Sequence, residues 1–114
     1  MHNTRLSRVG QKIQQEIALI IQQELKDPGL GFITITRIEL SKDLRHARVF
    51  FSCLGTAAER ARSQEALDRS AGYIYGLVKR RMRLKTIPEF TFVYDESIAG
   101  AITITDALDK LKES

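Results

Sequence analysis

The chain has 114 residues, of which 43% are hydrophobic and 28% charged, a composition typical of one globular domain. Its single cysteine, Cys53, excludes an intramolecular disulfide and a zinc site built from several cysteines. No apolar run approaches the roughly 20 residues that cross a bilayer. The first residues contain no apolar signal core. We therefore expect a soluble, cytoplasmic protein without a disulfide, metal or cofactor.

The net charge is +4, and basic and acidic side chains are distributed unevenly along the chain. Residues 1–85 contain sixteen basic and eight acidic side chains, whereas residues 86–114 contain two and six. A cationic surface attracts polyanions, of which nucleic acid is the commonest. The distribution predicts a basic face that binds nucleic acid.

Residues 4–26 have the spacing of an amphipathic helix. Apolar side chains recur every three or four residues: Leu6, Val9, Ile13, Ile17, Ile20, Ile21 and Leu25. Pro28 and Gly29 follow, and they predict that the helix ends there, because proline cannot continue it and glycine permits positive φ.

Two segments rich in β-branched residues come next. Residues 32–40 and 46–53 predict two strands, and the short turn between them predicts an antiparallel hairpin. Three basic residues mark this hairpin: Lys42, Arg45 and Arg48.

The second half of the chain predicts two further helices and a third strand. Thr56 and Glu59 have the spacing of a capping box and begin a helix that we expect to run to about Ser70. Ser70, Ala71 and Gly72 predict a break or kink. In the helix that follows, Tyr73 is predicted to pack, whereas Tyr75 lies away from the apolar stripe. Five cations crowd its end, more than a helix terminus needs: Lys79, Arg80, Arg81, Arg83 and Lys85.

Residues 90–94 alternate as a strand, and a last helix is predicted from about residue 101. The order α-β-β-α-α-β predicts an α+β domain, with a three-stranded sheet and the helices on one face. We assign residues 1–97 to this domain, and residues 98–114 to a tail or short helix of the same domain.

Residues suited to catalysis are sparse. His2 and His46 have no partner at the spacing of a metal site or a general base. Asp95 and Glu96 follow the third strand, but no matching acid accompanies them. We therefore predict no catalytic residue and no metal site.

The candidate site is instead a surface for RNA. Long cations neutralise phosphates, and unpaired bases stack on aromatic rings. The predicted RNA-binding residues are Arg5, Arg8, Lys12, Lys42, Arg45, Arg48, Ser70, Ala71, Gly72, Tyr75, Lys79, Arg80, Arg81, Arg83 and Lys85.

Several short segments within residues 5–97 resemble segments of the bacterial ribosome-binding factor A family, and they occur in the same order along the chain. They are RV at 8–9, ELKDP at 24–28, FITIT at 32–36, SKDLRHARV at 41–49 and IPEFTFVYDES at 87–97. The element order is similar to that of a type II KH-like domain, which normally has a GxxG loop between two helices. Here Ser70, Ala71 and Gly72 resemble the AxG element of the family. The tail beyond Ser97 resembles it poorly.

This resemblance implies a ribosome assembly factor. Such proteins bind the immature 30S subunit near the 5′ end and decoding region of 16S ribosomal RNA and support its processing, especially in the cold. We accordingly expect a cytoplasmic monomer that is not an enzyme, with no membrane or small-molecule partner.

Three alternatives remain open. A generic single-stranded nucleic-acid-binding module would bind a naked oligonucleotide as well as the subunit. An enzyme or accessory subunit of ferredoxin-like shape would need an acid–base pair. A dimerisation module would use the exposed edge of the sheet and would elute as a dimer in gel filtration.

Overall fold

The computed structural model describes the backbone of residues 4–96 and the side chains of residues 8–96. Its elements are α1 (Thr4–Gln23), β1 (Ile33–Leu40), β2 (His46–Cys53), α2 (Ala57–Met82) and β3 (Glu89–Tyr94). The α+β class and the three-stranded sheet are confirmed. The last helix, predicted from about residue 101, lies outside the described residues.

The sheet has the strand order β1-β2-β3. β1 and β2 form the predicted antiparallel hairpin, in which Ile35 pairs with Phe51 and the register shifts between Ile35 and Arg37. β3 runs parallel to β2, with Phe92 opposite Val49. A parallel neighbour requires a crossover, and α2 provides it.

The core lies between the two helices and one face of the sheet. On β2, Ala47, Val49 and Phe51 are buried at alternate positions, as a strand with one covered face requires. They form one cluster with buried residues of both helices: Ile13, Ile17 and Ile20 of α1, and Leu67, Ile74 and Val78 of α2. Both helices therefore pack on the same face, as the sequence predicts.

The predicted break at Ser70, Ala71 and Gly72 is wrong. α2 is one continuous helix of 26 residues through these positions, so the described chain has two helices rather than three. Leu67 and Ile74, seven residues apart, are both fully buried on the same side of α2. Burying both side chains on one side of a continuous helix outweighs the roughly 1 kcal/mol by which a glycine destabilises a helix interior.

Both ends of α2 have defined caps. Thr56 accepts a hydrogen bond from the Glu59 amide, and the Glu59 side chain accepts one from the Thr56 amide, so the predicted capping box is confirmed. Arg83 ends the helix in the left-handed conformation, with φ of 53°. Neither described helix combines the length and the apolarity that a bilayer crossing requires.

Candidate nucleic-acid interface

Two contacts place the hairpin turn and the end of α2 against α1. The position of a Cβ atom on Gly10 would lie 3.4 Å from side-chain atoms of Ile38 and Leu40, so α1 crosses the end of β1 just before the turn. The Arg81 guanidinium lies 3.5 Å from the Glu16 carboxylate, which places the last turn of α2 beside α1.

Most of the predicted cations with described side chains lie on these three segments. Eight are exposed, and none of the eight makes an ion pair with another described side chain. We call these residues the basic end: Arg8, Lys12, Lys42, Arg45, Lys79, Arg80, Arg83 and Lys85. Unpaired cations in one region produce a positive potential suited to a polyanion.

Two predicted RNA contacts have protein partners instead. Arg81 bridges to α1, with guanidinium nitrogens 3.5 Å from Glu16 and 3.3 Å from Glu24. Arg48 pairs with Glu39 at 2.7 Å, and it lies over the ring of Phe50 on the sheet face opposite the helices. Both guanidinium groups are engaged within the protein, and we leave them out of the basic end. Arg5 precedes the described side chains.

A cavity of about 420 Å³ lies between the middle of α2 and the beginnings of β2 and β3. Its lining includes four predicted residues, Arg45, Ala71, Gly72 and Tyr75, and four that the sequence did not indicate: Thr86, Ile87, Glu89 and Phe90. Ser70 is half-buried in α2 and does not line the cavity. The alternation in residues 90–94 indicates a strand but not its neighbour, so the pattern did not place these residues beside Arg45 and Gly72.

The two tyrosines of α2 differ from their predicted environments. Tyr73 is 50% exposed, so its predicted packing is wrong. Tyr75 is half-buried, and its ring centroid lies 6.1 Å from that of Phe90 in an edge-to-face arrangement. The two residues stand on either side of the buried Ile74 in the sequence, so their side chains point in different directions around the helix. Only the Tyr75 side chain points toward β3.

The hairpin turn is held by a carboxylate. Asp43 accepts a hydrogen bond from the Ser41 hydroxyl at 2.6 Å and another from the Arg45 amide at 3.0 Å. These two bonds, in that order, lower the pKa of Asp43. The network fixes the turn that carries Lys42 and Arg45. Among the described residues, no cluster of histidine, cysteine or carboxylate side chains could hold a metal ion.

A second concavity, of about 610 Å³, lies between α1 and β1. Apolar residues such as Ile21, Leu25 and Ile35 line it, together with Phe32, which is 81% exposed. None of the predicted RNA-binding residues lines this groove. The basic end and the cavity beside α2 therefore form the candidate interface.

Comparison with known proteins decides the family. The family model described as "Ribosome-binding factor A" matches residues 5–108. The chain belongs to the ribosome-binding factor A family. The match continues past Ser97, so the poor resemblance expected for the tail is wrong as far as residue 108.

Curated members support this assignment over nearly the whole chain. Ribosome-binding factor A of Halothermothrix orenii is 42% identical over 113 residues, which cover 99% of this chain and 93% of that protein. The Staphylococcus epidermidis member is 46% identical over 114 residues, which cover 100% and 98%.

Solved structures of the family share the fold. The solution structure of a Thermotoga maritima protein assigned to ribosome-binding factor A is 36% identical, with a TM-score of 0.71 over 82% of this chain and 90% of that one. The Thermus thermophilus crystal structure, 24% identical, has a TM-score of 0.70 and covers 77% and 92%. A Thermus thermophilus homology model, also 24% identical, has been fitted into a cryo-electron microscopy map of a 30S complex with this factor, with a TM-score of 0.65 over 78% and 93%.

Proposed function

We propose that this chain is an assembly factor of the small ribosomal subunit. It binds immature 30S subunits in the cytoplasm as a monomer and assists the maturation of 16S ribosomal RNA by binding rather than by catalysis. Its family membership supports this function, as does the 30S complex described for the Thermus thermophilus factor.

The observation that carries the proposal is the basic end itself. Eight exposed cations lie on three segments that pack on one another, α1, the hairpin turn and the end of α2, without ion-pair partners among the described side chains. Each contact with a phosphate releases condensed counterions, so several cations in one region give strong, salt-dependent binding. We assign the eight residues of the basic end to phosphate binding.

Binding energy is also the means by which such a factor acts. A protein shifts the equilibrium between two RNA conformations only by its different affinities for them. The basic end therefore favours the rRNA conformation in which the largest number of phosphates lies within its reach. The continuous α2 and the hydrogen-bonded hairpin turn keep the cations at defined positions, so the folded shape of the RNA determines affinity.

The first prediction concerns co-sedimentation with 30S subunits over a salt series, beside free 16S RNA. We expect the chain to sediment with the subunit and less with free RNA. The logarithm of affinity should fall with the logarithm of salt by about 0.7–0.9 per phosphate contact. Equal binding to the 30S subunit and to free 16S RNA would indicate a generic RNA-binding module. Binding to neither would overturn the proposal.

The same experiment tests the interface with charge-matched variants. The double variant Lys79→Glu and Arg80→Glu removes two cations of the basic end and should reduce the salt slope by about 1.4–1.8. Arg62→Glu with Lys26→Glu removes two exposed cations that lie outside the basic end. An equal loss of affinity in both double variants would show that net charge, rather than the basic end, determines binding.

A further inference from the structure

An apolar groove lies open beside an edge strand of the described sheet. β1 is that edge strand, and the concavity of about 610 Å³ between it and α1 is called the α1–β1 groove below. Ile21 and Leu25 of α1 and Ile33 and Ile35 of β1 line it, and each is only partly buried against the core. Phe32, which is 81% exposed, also lines it. Apolar surface collected in one open groove is typical of a site that a second apolar surface covers.

The charge of the lining argues against a nucleic acid as the occupant. Among the described residues that line the groove, Asp27 alone is charged. Its carboxylate already lies 3.1 Å from the Arg69 guanidinium. A polyanion binds where cations neutralise its phosphates. The α1–β1 groove therefore suits an apolar polypeptide segment.

The described chain ends close to this groove. β3 is parallel to β2, and β2 is antiparallel to β1, so β3 ends at the edge of the sheet where β1 begins. Asp95, directly after β3, accepts a hydrogen bond from the Thr36 hydroxyl of β1 at 2.6 Å. Two strand spacings, about 10 Å, separate β3 from β1. The chain from Asp95 to Ala101 reaches about 20 Å when extended, which is enough to bring the residues that follow to the groove.

Residues 101–111 have an apolar stripe that matches such a groove. The stripe recurs every three or four residues: Ala101, Ile104, Leu108 and Leu111. Asp106 and Lys110 fall on the opposite side of the predicted helix. A helix of this length is marginal in water by itself, so it requires a surface on which to pack its stripe.

We propose that residues 101–111 of this chain form a helix that packs its apolar stripe into the α1–β1 groove and covers Phe32. Helices dock in apolar grooves through side chains at this spacing. The docked helix also covers the edge of β1, and an uncovered strand edge pairs readily with other chains. This inference goes beyond the proposed function and does not involve the basic end.

A tryptophan in place of Phe32 provides the test, because the chain contains no tryptophan of its own. We would measure acrylamide quenching of tryptophan fluorescence in the full chain with Phe32→Trp. The docked helix should protect the indole from quenching. Adding Ile104→Ser removes an apolar side chain from the interface, which should weaken docking about tenfold and raise the quenching.

Ile102 provides the matched control. It lies about 200° from Ile104 around the predicted helix, so Ile102→Ser makes the same chemical change on the side away from the groove. This substitution should leave the quenching of Phe32→Trp unchanged. Tyr73→Trp is the second control, because Tyr73 is 50% exposed on α2 and does not line the groove. Its quenching should be the same with either serine substitution.

Three outcomes would overturn the docked helix. Equal quenching of Phe32→Trp with and without Ile104→Ser means that residues 101–111 do not cover the groove. Increased quenching with both Ile102→Ser and Ile104→Ser indicates an added strand, in which alternate side chains share a face. Protection that disappears on dilution indicates a second copy of the chain in the groove. None of these results affects 30S co-sedimentation as a test of the proposed function.

Discussion

Arg80 and Arg81 are neighbours in the sequence with different surroundings. Arg80 is exposed and has no ion-pair partner among the described side chains. Arg81 lies against α1, between Glu16 and Glu24. One step along a helix rotates a side chain by about 100°, which is enough to separate a free cation from one that joins two helices.

This difference predicts opposite effects on stability. Arg81→Glu places a carboxylate beside Glu16 and Glu24 and should lower the free energy of unfolding by about 1 kcal/mol, a loss that salt reduces. Arg80→Glu should change it little. Urea denaturation at low and high salt measures both, and equal destabilisation would show that the bridge to α1 contributes nothing.

Asp27 is predicted to make stability depend on acidic pH. Its carboxylate accepts a 2.8 Å hydrogen bond from the Gly29 amide and lies 3.1 Å from the Arg69 guanidinium, and these two partners lower its pKa below 3.8. A carboxyl group whose pKa is lower in the folded state stabilises the fold above its unfolded pKa. That contribution is lost as the pH falls through the folded value.

The variant Asp27→Asn removes this titration. Its stability should therefore fall less steeply below about pH 4 than that of the wild-type chain, although it should be lower at neutral pH. Urea midpoints between pH 2 and pH 7 provide the measurement. Parallel profiles for the two proteins would contradict the assignment.

At the scale of elements, α2 shows how shared burial overrides a local signal. Ser70, Ala71 and Gly72 have the composition of a break, yet Leu67 and Ile74 on either side are fully buried in one helical phase. Interrupting the helix would turn one of these side chains out of the core. The same continuity places Tyr75 against Phe90 and leaves Tyr73 half exposed.

Gly76 tests the cost of glycine in this element. Outside the neighbouring backbone of its own helix, no atom lies within 4 Å of the position that a Cβ would occupy, so Gly76→Ala should stabilise the fold by about 0.5–1 kcal/mol. Gly55→Ala is the contrasting variant, because Gly55 has φ of +127° and a Cβ there would lie 2.6 Å from a Glu59 carboxylate oxygen. Thermal unfolding should show a rise for the first and a fall for the second. A fall for both would mean that α2 needs glycine at position 76.

At the scale of the whole molecule, the decisive feature is the meeting of distant segments. Arg8 and Lys12 lie more than sixty residues before Lys79, but packing of α1 on both β1 and α2 places them on adjoining elements. Arg48 shows the reverse effect. It is only three residues from Arg45, yet the strand carries its side chain to the sheet face opposite the helices.

Sequence patterns by themselves determined the features that depend on near neighbours along the chain. The apolar spacing of α1, the alternation of the strands, the capping box at Thr56 and the excess of cations all follow from contacts over a few residues, and all agree with the structure. Motif order across residues 5–97 likewise indicated the family that the comparisons confirm.

Only the tertiary structure decided which of these residues lie together. It joined α2 into one helix, assigned Arg48 and Arg81 to protein partners, and placed Glu89 beside Arg45 and Gly72 around one cavity. The physical reason is that helix phase and the parallel pairing of β3 with β2 depend on burying one common core. Local sequence patterns do not contain that information, since the partners lie tens of residues apart.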